Sequence, residues 1–166
     1  MKSRILFILK HREAQWGGQY HSLSSGLSNS VRFIVDMLTS FGVEAKMVEV
    51  PDNNFIDREV TAYKPTHVII EAFWVVPEKF DVLIPLHPDV HWAVRNHSEI
   101  PFLANEGIAF EWVAGYVKRD VEIMCNAPRA LKDIRTYIRA CGGNERLVSL
   151  LKYCHQTEEE WLARFG

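Results

Sequence analysis

The sequence predicts one α/β domain of the Rossmann-like kind: a mainly parallel sheet with helices on both faces and a helical C-terminal tail. Three observations carry this. Ile5-Leu6-Phe7-Ile8-Leu9 is an unbroken apolar run, the pattern of a strand covered on both faces. Strand-like runs then alternate with segments of helical period, the order that builds right-handed βαβ crossovers. The chain has 166 residues, 48% hydrophobic and 24% charged, the ordinary make-up of a single globular domain.

The elements follow in order. After the first strand comes a long polar loop with Gly17-Gly18 and the serines Ser22, Ser24 and Ser25. Leu27, Val31, Ile34, Leu38 and Phe41 then recur at helical spacing, and Gly42 stops the helix. Val43 to Val50 is the second strand. Pro51-Asp52-Asn53-Asn54 is a turn that caps a short helix from Phe55 to about Ala62. Thr66 to Glu71 is the third strand, and Pro77 opens a helix running to about Leu86. His91 to Arg95 is the fourth strand, Leu103 to Lys118 a helix with Trp112, Val113 and Tyr116 on its apolar side, and Val121 to Cys125 the fifth strand. Pro128 opens a helix to about Cys141, ended by Gly142-Gly143. Residues 1–141 make the Rossmann-like domain, and 142–166 the tail, with short helices over Glu145–Cys154 and Glu158–Phe165. The expected strand order, numbered along the chain, is 3-2-1-4-5.

Composition excludes several classes. Nineteen basic against twenty-one acidic residues give a net charge of −2, so no concentrated basic surface signals nucleic-acid binding. No apolar run approaches the roughly 20 residues that span a bilayer. The run Ile5–Leu9 is too short for a signal peptide, and Lys10, His11 and Arg12 follow it directly. Cys125, Cys141 and Cys154 are far apart and form no CxxC pair, as expected for reduced thiols of a cytoplasmic protein.

Ligands in open α/β sheets bind at the carboxyl ends of strands, where the strand order reverses. The expected order puts that point between strands one and four. Two segments then line the crevice: Lys10 to Asn29, and Asn96-His97-Ser98-Glu99. Lys10, His11 and Arg12, the flexible pair Gly17 and Gly18, and a helix N-terminus together can hold an anion. They equally suit a mobile turn followed by a serine helix cap. The loop is neither a Walker A motif nor GxGxxG, and without that fingerprint Asp52 reads as a turn and cap residue rather than a ribose ligand. No cofactor is expected.

His97, with Glu99 near it, is the candidate catalytic pair, because histidine titrates near neutrality and a carboxylate can orient it. Ser98 lies in no nucleophile elbow and counts as a binding residue, as does Asn96. Glu71 closes the third strand and can face the same crevice. Trp74 can stack on a sugar or base, or close the core. Glu106 offers a polar contact or simply first-turn charge. His87 and His91 have a metal-like spacing, but Pro88 lies between them and nothing nearby completes a site, so no metal is expected.

Four stretches are distinctive as a set: GLSNSVRFIVDML (Gly26–Leu38), DNNFIDREV (Asp52–Val60), PTHVIIEAFWVVPEKF (Pro65–Phe80) and HSEIPFLANEGIAFEW (His97–Trp112). On these, from about Lys2 to Ile134, the chain resembles the N-terminal half of GT-B glycosyltransferases, especially phage-encoded predicted glycosyltransferases. The resemblance implies an acceptor-side domain facing a donor domain that binds a nucleotide-sugar. It implies that Gly17 and Gly18 form the glycine-rich loop near the interdomain cleft and that His97 is a cleft histidine. After Ile134 the sequence has room for a helix and a tail, so the expectation is a glycosyltransferase-like domain without its donor half, incomplete or inactive alone. Two other readings stand beside it. One is a non-catalytic, phage-derived binding or inhibitor protein that engages a host factor or nucleotide. The other is a small independent enzyme using His97 and Glu99. The expected partners are a sugar, nucleotide-sugar or nucleotide, and a protein or second copy docked on the C-terminal helices.

Overall fold

The computed structural model describes residues 2–11, 13–16, 19–22, 25–96, 107–151 and 158–166. The strands are β1 (Arg4–Lys10), β2 (Glu13–Trp16), β3 (Gln19–Ser22), β4 (Glu44–Val50), β5 (His67–Glu71), β6 (His91–Arg95), β7 (Glu122–Cys125) and β8 (Val148–Leu150). The helices are α1 (Ser25–Ser40), α2 (Ile56–Tyr63), α3 (Phe80–Leu86), α4 (Gly107–Lys118), α5 (Pro128–Ala140) and α6 (Glu158–Phe165). Six strands form one parallel sheet in the order β4-β1-β5-β6-β7-β8, and β2 and β3 pair separately as an antiparallel hairpin. The Rossmann-like α/β architecture is therefore present. No helix among the described residues is long and apolar enough to cross a membrane.

The expected order 3-2-1-4-5 is corrected. The third strand of the chain that enters the sheet, β5, pairs directly with β1, Ile5 opposite His67 and Ile8 opposite Ile70. The reason lies in burial. The expected order would have left Val68, Ile69, Ile70 and Glu71 on a sheet edge, although all four are buried. The strand that takes the edge is β4, whose Glu44, Lys46 and Glu49 face outward or half outward; charge is what an exposed edge tolerates. The switch in strand order thus falls between β1 and β5, not between the first and fourth strands.

Two further expectations change. The loop after β1 contains the β2–β3 hairpin. The predicted helix Glu145–Cys154 is instead a single turn at Glu145–Leu147 followed by β8. Val148 and Leu151 are buried in the clusters on opposite faces of the sheet, a strand-like alternation that a short apolar run does not distinguish from a helix. The predicted helix Glu158–Phe165 is present as α6. Asp52 caps as expected, its Oδ1 accepting from Asn54 N at 2.8 Å.

The core has two sides. On one, α2, α3, α4 and α5 bury Ile56, Val60, Phe80, Leu83, Val113, Tyr116, Ile134 and Ile138 against Leu6, Ile8, Val68, Ile70, Val94 and Ile123. On the other, α1 contributes Val31, Ile34 and Leu38, and α6 contributes Trp161 and Phe165, against Ile5, Phe7, Leu9, Ile69, Ala93 and Met124. Phe41, predicted to continue the α1 stripe, lies past the helix end and is exposed. Gly42 follows it at φ +82°, the left-handed turn that releases the chain into β4. The apolar side of α6 is spent on its own sheet, so the tail does not offer those rings to a second chain.

Candidate functional site

At the switch point, β1 ends in Lys10 and β5 in Glu71. The chain leaves β1 alongside β4, with His11 N donating to Val50 O at 2.8 Å. There the His11 ring, 42% exposed, places Nδ1 3.0 Å from Glu49 Oε2. From α1, the buried Ser28 donates its hydroxyl to the other oxygen, Oε1, at 2.9 Å. Hydrogen bonds from His11, then from Ser28, hold the Glu49 carboxyl below its ordinary 4.5 against the opposing effect of burial. An ionised carboxylate only accepts, so His11 Nδ1 carries the proton of this contact. In the neutral ring Nε2 is then the basic nitrogen. Ser28 and His11 each bind Glu49 rather than each other, so the arrangement orients a base and does not activate a serine nucleophile.

Beside it, at the ends of β5 and β6, Arg95 Nε donates to Glu71 Oε2 at 2.8 Å, and both side chains are fully buried. Two fixed charges inside a protein are tolerated only when well paired. This pair locks the strand ends together, and Ala72 N adds a bond to Arg95 O at 3.0 Å. Ala72 then turns out of the sheet at φ +71°, a left-handed conformation that costs a non-glycine residue roughly 1 kcal/mol. Such strain often marks functional sites. Half-buried Trp74 is fixed by its indole N–H, which donates to Glu71 O at 2.9 Å. Asn96 is buried, its backbone N–H bound to Met124 O at 2.8 Å.

The candidates thus separate. Lys10 and His11 at the end of β1, Glu71 and Trp74 at β5, and Asn96 at β6 come to the same end of the sheet. Glu71 is turned inward to Arg95 and shapes the crevice instead of presenting its carboxylate there. Arg12, Gly17, Gly18, His97, Ser98, Glu99 and Glu106 lie outside the described residues. The sequence reading missed Glu49, Ser28 as its partner, and Arg95. For Arg95 the signal was position: like Glu71 it ends an apolar central strand, and the two share the face of Ile69 and Ala93, so these buried charges need each other.

The metal-like spacing of His87 and His91 resolves into two separate contacts. His87 Nε2 lies 2.6 Å from Asp57 Oδ1 of α2, and His91 Nε2 lies 2.7 Å from Glu122 Oε1. A cleft of about 830 Å³, lined in part by Lys64, Thr66, His87 and Asp89, opens at the amino ends of β5 and β6, the opposite end of the sheet from the switch point. Compared with known proteins, the chain matches no family model and no curated protein.

Proposed function

We propose that this domain is the acceptor side of a glycosyltransferase-like site. It binds a sugar or another hydroxyl-bearing ligand at the carboxyl ends of β1 and β5, and His11 takes the proton of the attacking hydroxyl. The observation that carries this reading is the His11–Glu49–Ser28 arrangement beside the switch in strand order. A carboxylate-oriented imidazole with an accessible ring suits general-base work near neutral pH. In the transfer, the acceptor oxygen bonds to the anomeric carbon of a nucleotide-sugar held opposite. The bond from that carbon to the diphosphate breaks with its electron pair, and Nε2 receives the hydroxyl proton. Glu49 stabilises the imidazolium that forms. The inward Glu71–Arg95 pair and the strained Ala72 support the same location, because they fix the crevice wall before any ligand arrives.

Chemical-shift mapping with methyl glucosides, UDP-glucose and free UDP tests the reading. We expect one or more of these probes to shift the resonances of Lys10, His11 and Glu49, with binding surviving His11→Ala. Where transfer is measurable with a donor-binding partner, His11→Ala lowers it by about 10²–10⁴-fold. Shifts confined to the opposite end of the sheet, or none with any probe, would overturn it.

A further inference from the structure

Glu122 is the buried centre of a second polar cluster, at the amino ends of the strands on the face that α6 covers. Its carboxylate accepts from His91 Nε2 at 2.7 Å, Ser149 Oγ at 2.5 Å and Arg164 Nη1 at 2.6 Å, and also from Arg164 Nη2. His67 stands beside them, its ring 5.5 Å from that of His91 and 5.1 Å, edge-on, from that of Phe165. The charged groups acting on His67 are therefore His91 of β6, Arg164 of α6 and Glu122 of β7, while Thr66 Oγ1 lies 2.8 Å from its Nδ1. Glu122 already balances Arg164. A proton on His67 adds net positive charge around the guanidinium.

The element with most to lose is α6. It has eight residues, too few to persist as a helix in water without docking. Its anchors are the buried rings of Trp161 and Phe165, stacked 5.7 Å apart, and the Arg164–Glu122 contact. Phe165 helps to bury His67, so lifting α6 alone lets that ring take a proton. Toward the other end of the strands, Trp161 packs 5.8 Å from Phe7 and 5.6 Å from the Arg95 guanidinium, beneath the Glu71–Arg95 pair.

We infer that α6 is a clamp, closed at neutral pH and released by acid: protonation of His67, beneath Phe165 and beside Arg164, frees the helix from Glu122 and uncovers Arg95 while the sheet stays folded. That the release also regulates ligand binding rests on the crevice reading above; the release itself does not. Burial, then His91 and Arg164, holds His67 down to about 4 while the helix is docked. Undocking restores its ordinary value near 6.5, so docking is at full strength above about 6.5 and weakens as pH falls toward 4. Glu122 stays ionised through this window, because burial, which pushes it up, is outweighed by the bonds from His91, Arg164 and Ser149 that hold it at about 2.

Hydrogen exchange of the full chain at neutral pH and at about pH 4.5, corrected for the intrinsic pH dependence, tests the clamp. The amides of α6 should lose protection roughly tenfold in acid while those of β1 and β5 hold. His67→Phe keeps a ring against Phe165 and should flatten the acid response. Equal loss in α6 and the central strands, or a response unchanged in His67→Phe, would overturn the clamp. Ligand mapping at neutral pH, with the clamp closed, tests the crevice separately: no shifts there with acid release intact would sink the crevice reading alone.

Discussion

Arg95 and Glu71 form an ion pair with no solvent exposure on either side chain, Nε to Oε2 at 2.8 Å, directly beneath the candidate crevice. Removing one partner takes from the other buried charge its direct ion pair. Arg95→Ala should therefore destabilise the fold by about 3–5 kcal/mol, whereas the paired replacement Arg95→Met with Glu71→Leu should cost much less. Urea denaturation of the two variants measures the difference. Equal destabilisation would show that packing, not charge pairing, fixes these strand ends.

Glu49 reports directly on the proposed base. Its carboxyl titrates low because His11, and then Ser28, donate to the ionised form. This network stabilises the folded state above the ordinary carboxyl value of 4.5 and is lost as pH falls through the lowered one. His11→Ala and Ser28→Ala should each raise the Glu49 titration seen by carbon-13 NMR, His11→Ala by more. An unmoved midpoint would mean that the contacts do not persist in solution.

Acid stability should carry two distinct signatures. His67 favours its neutral form when folded, so stability falls between about 6.5 and 4. Glu122, held at about 2, contributes stability above 4.5 that disappears as pH falls through 2. Unfolding curves for His67→Phe should lack the first decline and keep the second. Thermal melts at intervals from neutral to strongly acid pH check this.

On the other face, Gly115 of α4 has no room for a methyl group: a Cβ there would meet Pro77 Cβ at 2.8 Å and Cγ at 2.9 Å. Neither atom belongs to a flexible side chain. The gain in helix propensity from Gly115→Ala should thus be outweighed by about 1–3 kcal/mol of overpacking, read as a lower melting temperature. A more stable variant would show that Pro77 shifts easily.

The parts of the fold legible in the sequence are those decided locally. Ile5–Leu9 announces a two-sided strand, Asp52 its cap and Gly42 its helix stop, because burial, side-chain acceptors and positive φ are properties of short windows. Strand order is not local. It depends on which run tolerates an edge, and the outward Glu44 and Lys46 of β4 settle it only when weighed against β5, buried from Val68 to Glu71. The site is legible to the same extent. Lys10, His11 and Asn96 follow from strand ends, a rule about position. Glu49 and Glu122 escape because their partners, His11 and Ser28 in one case and His91, Ser149 and Arg164 in the other, come from distant parts of the chain. The short apolar stretch that forms β8 fits either periodicity until its neighbour β7 is known.

The division of the core also has a consequence for how the protein is made. The side of the sheet carrying Phe7, Ile69, Ala93 and Met124 is closed by α1, one of the first helices synthesised, and by α6, which leaves the ribosome after every strand. Translation therefore presents a nearly finished sheet with one flank covered by α1 but not by α6 until residues 158–165 emerge. In that interval the Glu71–Arg95 pair lacks the indole beneath it, and apolar rows stand open to chaperones or to neighbouring nascent chains. Helix α6 completes the burial of Phe7, a residue translated long before it.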